Sequence, residues 1–155
     1  MDKTKILISL INKSDEIPYD LLLLSDDTIK AIDKNLNNGE CYLAKYQEKT
    51  VAVFILKVVQ DDSIEIKNIA VTEELQGKGI GTILIDFIIE NAKKRGFEKV
   101  LVGTCDQCVK EIKFYEKSRF AIFDIRKNFF LDNYSKPIYE NGKQIIDMVL
   151  LKIDL

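Results

Sequence analysis

Val71-Thr72-Glu73-Glu74-Leu75-Gln76-Gly77-Lys78-Gly79-Ile80-Gly81-Thr82 is the stretch whose reading decides the fold. The residues leading into it, 64–71, are rich in β-branched side chains and predict a strand. Beyond it, Ile80, Ile83, Leu84, Phe87, Ile88 and Ala92 recur at helical spacing and predict a long amphipathic helix. The glycines therefore lie in a strand-to-helix turn and run into the first turn of the helix. There the leading N–H groups have no intrahelical partner and the helix dipole is positive, a natural seat for phosphate oxygens. Three glycines in five residues cost backbone entropy and helix propensity. In return, no side chain stands between the backbone and a group that must come close.

Two well-known glycine motifs do not fit. A dinucleotide fingerprint needs G-x-G-x-x-G, and the sixth position counted from Gly77 is Thr82. The P-loop string G-x-x-x-x-G-K-[ST] does not occur. A glycine-rich turn without a ligand is the plain alternative. What remains is Gln76-x-x-Gly79-x-Gly81 after a hydrophobic strand. This resembles the acyl-CoA-binding motif, Q/R-x-x-G-x-G/A, of the GCN5-related N-acetyltransferase (GNAT) superfamily. The resemblance implies that the loop from Gln76 through Gly77, Lys78, Gly79, Ile80 and Gly81 to Thr82 holds the pyrophosphate of acetyl-CoA. It also implies that Ile69, Ala70 and Val71, on the preceding strand, pair with the pantetheine arm.

The 155 residues are most simply one domain, long enough to bury a real core. Charged side chains are 31% and hydrophobic ones 46%, an ordinary globular composition. The 23 basic against 25 acidic residues give a net charge of -2, which argues against a nucleic-acid partner. No apolar run is long enough for a membrane span, and the N-terminus is a poor signal peptide. The expected location is cytoplasmic. Without histidine, a histidine base, a Ser-His-Asp triad and a His-ligated zinc are excluded. Cys105-Asp106-Gln107-Cys108 is a C-x-x-C, weighed as a redox pair or half of a zinc site. Only Cys41 remains as a third sulfur, and the motif follows the fifth predicted strand instead of opening the domain. Two incidental reduced thiols, and no metal, are the expectation.

Strands are predicted at residues 5–10, 41–46, 50–59, 64–71, 99–103, 120–125 and 144–152. Helical pieces are predicted at 19–25, 28–36, 80–95 and 109–117, with Ser25 or Asp27 capping the second and Gly96 closing the third. Gln47-Glu48-Lys49 should turn a hairpin. The order β-α-α-β-β-β-α-β-α-β-β matches the resembled family. It gives an α/β (α+β) fold with a mixed, mostly antiparallel sheet of about seven strands and flanking helices.

The strand 64–71 contains a phase error. Ile64 and Ile66 share one face by period two, whereas Ile69 and Val71 have the opposite parity. One extra residue near Asn68, a β-bulge, would bring both pairs onto one face. Burial of both faces would also erase the alternation. In the resembled family this strand carries such a bulge, which splays it from its parallel neighbour so that acyl-CoA inserts in the gap.

Acyl transfer to an amine sets its own requirements. An amine with a pKa of about 10.4 must lose a proton before it attacks a thioester. The oxyanion needs an N–H donor, for which the Ile69 amide is the candidate. The leaving thiolate is helped by an acid. Ile112-Lys113-Phe114-Tyr115-Glu116-Lys117-Ser118-Arg119-Phe120 resembles the family's second motif, x-x-L/F-Y-E-K-x-G-F, whose tyrosine lies near the thioester sulfur. Tyr115 is accordingly the candidate acid, an ordinary half-buried helix tyrosine being the alternative. Arg119 stands where the family has a glycine, so a positive-φ arginine or a shifted turn is required. Cys108 replaces an asparagine common in the family, with Asp106 a candidate substitute if the loop is offset.

Glu65 lies near where several family members carry a catalytic glutamate and is the candidate base; a solvated strand glutamate is the alternative. Residues 126–143 exceed what a closing hairpin needs and hold Phe129, Phe130, Tyr134 and Tyr139, which could line the acceptor pocket or pack over the sheet. Arg126-Lys127-Asn128-Phe129-Phe130 resembles the R-x-x-Y-Y element of members that acetylate protein N-termini. The resemblance as a whole spans about residues 50–151 and implies an N-acetyltransferase. Its acceptor would be a small-molecule amine or a peptide N-terminus or lysine, with a homodimer left open. The rival expectation is a CoA-binding regulatory module of the same fold without turnover.

Overall fold

A computed structural model describes residues 1–155. The elements run β1 (Leu7–Leu10), α1 (Tyr19–Leu22), α2 (Ile29–Leu36), β2 (Glu40–Tyr46), β3 (Lys49–Gln60) and β4 (Ser63–Val71). They continue through α3 (Ile80–Lys94), β5 (Lys99–Cys105), α4 (Val109–Lys117), β6 (Ala121–Arg126), α5 (Phe129–Asn133), β7 (Tyr139–Glu140), β8 (Lys143–Gln144) and β9 (Met148–Asp154). Seven strands make one sheet in the order β1-β2-β3-β4-β5-β9-β6, and β7 with β8 forms a separate hairpin. Among hydrogen-bonded neighbours only β4 and β5 are parallel: α3 carries the chain back between them, as α4 does between β5 and β6, but β9 inserts antiparallel between that second pair. This is the mixed seven-stranded architecture that the element order predicts.

Strand β3 shows how the two faces are sealed. Its Ala52, Phe54 and Leu56 enter the larger core, beneath Ile80, Leu84, Ile85 and Ile88 of α3. Val53 and Ile55 point to the other face and pack with Leu22 of α1 and Ile32 of α2. Each such buried aliphatic side chain contributes about 1.5–3 kcal/mol of transfer free energy. The helices thus sit on opposite faces and leave the sheet edges bare. No helix is long and apolar enough to cross a membrane.

The bulge lies where the phase error puts it. Ile55 of β3 faces Asn68 and Leu56 faces Ile66, so Lys67 has no opposite residue. The extra residue rotates the strand by one position, and Ile64, Ile66, Ile69 and Val71 all join the α3-side core. Its second consequence concerns β5. The parallel ladder runs from Ser63 opposite Lys99 to Ile66 opposite Val102 and stops there, whereas β5 continues against β9 to Cys105. A gap opens beside Asn68, Ile69 and Ala70.

Several local expectations need correcting. Helix α2 is capped by Thr28, whose Oγ1 accepts the Ala31 N–H at 3.1 Å, not by Ser25 or Asp27. The β2–β3 hairpin turns on two residues, Gln47 and Glu48, both at positive φ, the backbone of a tight turn that matches strand twist. The closing strand begins at Met148. The preceding residues bond to earlier loop segments instead: Phe130 N–H to Ile146 C=O, and Ile145 N–H to Ile138 C=O. Those bonds fold residues 129–144 into α5 and the small hairpin, neither of which the hydrophobic pattern announces.

Helix α4 ends in a Schellman motif. Arg119 has φ +74°, its N–H bonds the Glu116 carbonyl, and the Phe120 N–H bonds the Tyr115 carbonyl. Of the two ways to accommodate the missing glycine, this chain uses the positive-φ arginine. Phe120 can then fold back onto the Tyr115 ring, centroids 5.6 Å apart.

Candidate active site

The glycine loop joins the splayed end of β4 to α3. Gly77 and Gly79 both have positive φ, +74° and +88°, which favours glycine at each. From Gly77 to Thr82 the N–H groups donate to no main-chain acceptor, which leaves a row of free donors at a helix N-terminus, the kind of place where an anion can sit. The Gln76 side chain bridges back and donates to the Val71 carbonyl at 3.0 Å, fixing the loop on the strand. Lys3, from the far N-terminus, donates its Nζ to the Lys78 carbonyl at 3.0 Å and brings a cation to the loop.

One cavity flanks this loop and a second adjoins the first. The first, about 540 Å³, is walled by Ile69, Ala70 and Val71 of β4, by Gln76, Gly77, Gly79, Ile80, Gly81 and Thr82 of the loop, and by Phe114 and Tyr115 of α4. The second, about 340 Å³, lies where β4 and β5 part, under the α1–α2 connection and the residues after α5. Leu24, Ile69, Glu111 and Tyr115 line both, so the two volumes meet at these side chains. Tyr115 is 5% exposed, and burial, with Glu111 nearby, pushes its hydroxyl well above the usual tyrosine range. It is held as a neutral proton donor.

The remaining sequence candidates fall elsewhere. Lys78 stands beside the first cavity without lining it, exposed, its carbonyl taken by Lys3. Asp106 turns to the chain before β9, where its Oδ1 accepts the Ile146 N–H at 3.2 Å. Glu65 points away from Ile64 and Ile66 and is 5% exposed, and its carboxylate is paired with Lys67 at 2.7 Å. It lines neither cavity, although Lys67 lines the second. Of the aromatics after β6, Phe130, Tyr134 and Tyr139 reach the second cavity.

Some lining residues carried no sequence signal. Asp26 and Asp27, in the α1–α2 connection, face the second cavity, and the Tyr134 hydroxyl donates to Asp26 Oδ1 at 2.7 Å. Burial pushes the Asp26 carboxyl up, with the Tyr134 hydrogen bond opposing that rise. Buried Asn68 at the bulge ties the same connection down. It donates to Ser25 Oγ at 2.9 Å and accepts from Asn35 Nδ2 at 2.8 Å. Cys105 and Cys108, expected as reduced thiols, form a disulfide beside the second cavity. The end of β5 and the N-cap of α4 bring their Cα atoms to 5.1 Å, within bridging distance.

A splayed β4, a glycine loop at a helix N-terminus and a buried tyrosine at the junction of two cavities are the parts that an acyl-CoA-dependent acyltransferase calls for. The model of the Acetyltransferase (GNAT) family matches residues 8–120, and the chain belongs to that family. It is 39% identical over 155 residues, the whole of both chains, to an uncharacterized N-acetyltransferase, YvbK, of Bacillus subtilis strain 168. A GNAT family acetyltransferase from Elizabethkingia anophelis, crystallised with acetyl-CoA bound, superposes with a TM-score of 0.95 at 43% identity, covering 99% of this chain and 100% of that one. The [ribosomal protein bS18]-alanine N-acetyltransferase of Escherichia coli K12 is 30% identical over 96 residues, 61% of this chain and 65% of its own.

Proposed function

We propose that residues 1–155 act as a single N-acetyltransferase domain that transfers the acetyl group of acetyl-CoA directly to a primary amine. Acetyl-CoA supplies a thioester; the amine, having lost a proton, forms its bond to the carbonyl carbon to give a tetrahedral oxyanion, whose collapse breaks the C–S bond and releases the thiolate. The observation that carries the reading is the meeting of the two cavities at Tyr115 and Ile69. In this reading the first cavity takes the cofactor. The N–H groups from Gly77 to Thr82 hold the pyrophosphate, Lys3 adds a positive charge, and Ile69, Ala70 and Val71 flank the pantetheine. The second cavity takes the amine. The Ile69 amide steadies the developing oxyanion, and the Tyr115 hydroxyl protonates the departing thiolate.

Glu65 keeps a proposed role as a base that receives the amine's proton through water, while its partner Lys67, which lines the cavity, holds the carboxylate in place. A peptide N-terminus is the second reading for the acceptor. It is favoured by the bS18-alanine relative and by the Arg126-Lys127-Asn128-Phe129-Phe130 string. Thiol release from acetyl-CoA tests the proposal: primary amines should support it, and their tertiary counterparts should not. Binding of acetyl-CoA without thiol release from any amine would overturn it in favour of a regulatory module.

A further inference from the structure

The second cavity carries an unbalanced charge. Asp26, Asp27, Glu111 and Glu140 all line it, and the only cationic side chain in its wall is Lys67. The Lys67 ammonium is already committed to Glu65 at 2.7 Å. Across the whole chain acidic and basic residues nearly cancel, at a net charge of -2, so this wall is a local concentration of negative charge. An acceptor bearing a carboxylate beside its amine would meet no free cation there.

The position of Asp26 is built as well as charged. Its Oδ1 accepts the Tyr134 hydroxyl at 2.7 Å and the Asp27 N–H at 2.8 Å. Both donors fix Oδ1 and hold the carboxylate in one orientation, with the Asn68 side chain beside it. Partial burial has taken some water from this carboxylate, so a cation reaching it regains part of the lost solvation at close range. Tyr134 and Phe130 stack with centroids 5.8 Å apart, and with Tyr139 they give the cavity an apolar, π-rich wall. Such a wall suits methylene groups and a cation alike.

We infer that the acceptor is an aliphatic amine with a second cationic group, a di- or polyamine, whose distal ammonium is held by Asp26, Asp27 and Glu140 while the reacting amine lies toward Tyr115. This rests on the amine-acceptor reading given above. Asp26 and its neighbours are specificity-determining residues in this role, separate from the chemistry at the thioester.

The test is a matched four-carbon series assayed by thiol release: butylamine, 1,4-diaminobutane and 4-aminobutanoate, with an uncharged-side-chain tetrapeptide as a fourth arm. The expected order in kcat/KM is diamine, then monoamine, then amino acid, with the diamine preferred by about tenfold or more, as a charged hydrogen bond would give. The preference should shrink as salt is raised. Asp26→Asn and Glu140→Gln should each lower the diamine-to-monoamine ratio, read by the same assay in proteins that still bind acetyl-CoA. Equal rates across the series, or faster turnover of the amino acid or the tetrapeptide, would overturn the inference and leave the acetyltransferase reading standing. Thiol release from none of the four, in protein that binds acetyl-CoA, would overturn both.

Discussion

The Tyr134 hydroxyl donates to Asp26 Oδ1 at 2.7 Å across a sequence separation of 108 residues. This contact joins the connection between α1 and α2 to the chain that follows α5, and so closes the second cavity from two sides. It also carries a cost, because a carboxylate is held in a partly dry place. The same hydrogen bond keeps the Tyr134 hydroxyl protonated, its pKa raised by burial and by Asp26.

That cost should be measurable. The Asp26 carboxyl has a raised pKa in the folded protein, caused first by burial, against an ordinary value of 3.8. Below 3.8 both states are protonated and no penalty exists. As the pH climbs through the folded value, the unfolded chain releases its proton more readily and stability is lost. Asp26→Asn should therefore be more stable than the parent at pH 7, with the difference vanishing near pH 3. Urea midpoints at the two pH values check this, and a destabilised variant at pH 7 would refute it.

Gly79→Val should abolish tight acetyl-CoA binding and leave the protein folded. At φ +88° a side chain is strained by about 1–2 kcal/mol, and its Cβ would come within 3.0 Å of Lys3 Nζ. The lysine is flexible and can swing aside, but the branched side chain then covers N–H groups that face the cavity. We expect affinity to fall by about tenfold or more by calorimetry, since several charge-assisted hydrogen bonds are blocked together. Parent-like affinity in a folded variant would remove this loop from the cofactor site.

Tyr115→Phe should lower kcat and leave KM for acetyl-CoA unchanged. The ring's contacts with Phe114 and Phe120 survive the substitution, and only the proton donor is lost. A thiolate is a tolerable leaving group, so the loss should lie near the low end for general-acid catalysis, about 10²-fold. Steady-state rates under conditions where chemistry is shown to limit turnover are the measurement. An unchanged kcat would reduce Tyr115 to a packing residue.

Arg119→Gly should stabilise the fold. Arginine at φ +74° carries about 1–2 kcal/mol of strain, and glycine returns part of that gain as unfolded-state entropy, about 0.5–1 kcal/mol. A net increase of about 0.5–1 kcal/mol is expected from chemical denaturation. The Schellman bonds from Arg119 and Phe120 do not depend on the side chain and should persist. A loss of stability would mean that the arginine side chain makes contacts worth more than its strain.

Much of the architecture was legible because it is local. The β-branched run before Val71, the period of Ile80 to Ala92 and the three glycines between them are short-range patterns set by backbone sterics and one helix face. Even the bulge could be read, because Ile64, Ile66, Ile69 and Val71 cannot share a face at strict period two. The acceptor side was legible only in its aromatics: residues 126–143 offered Phe130, Tyr134 and Tyr139, but nothing marked Asp26 as the partner of Tyr134, and Lys3 reaches Lys78 across a separation of 75 residues. Glu65 could be placed on its strand but not relative to a cavity, because alternation fixes a face and says nothing of the Lys67 that covers it. The pairing of Cys105 with Cys108 is not legible either, because spacing alone does not tell how the end of β5 meets the start of α4. Backbone pattern determined the glycine loop proposed for the cofactor, whose chemistry lies in consecutive N–H groups. Only the folded chain decided the second cavity, proposed for the acceptor, because its walls come from segments that meet after the sheet has set the distances between them.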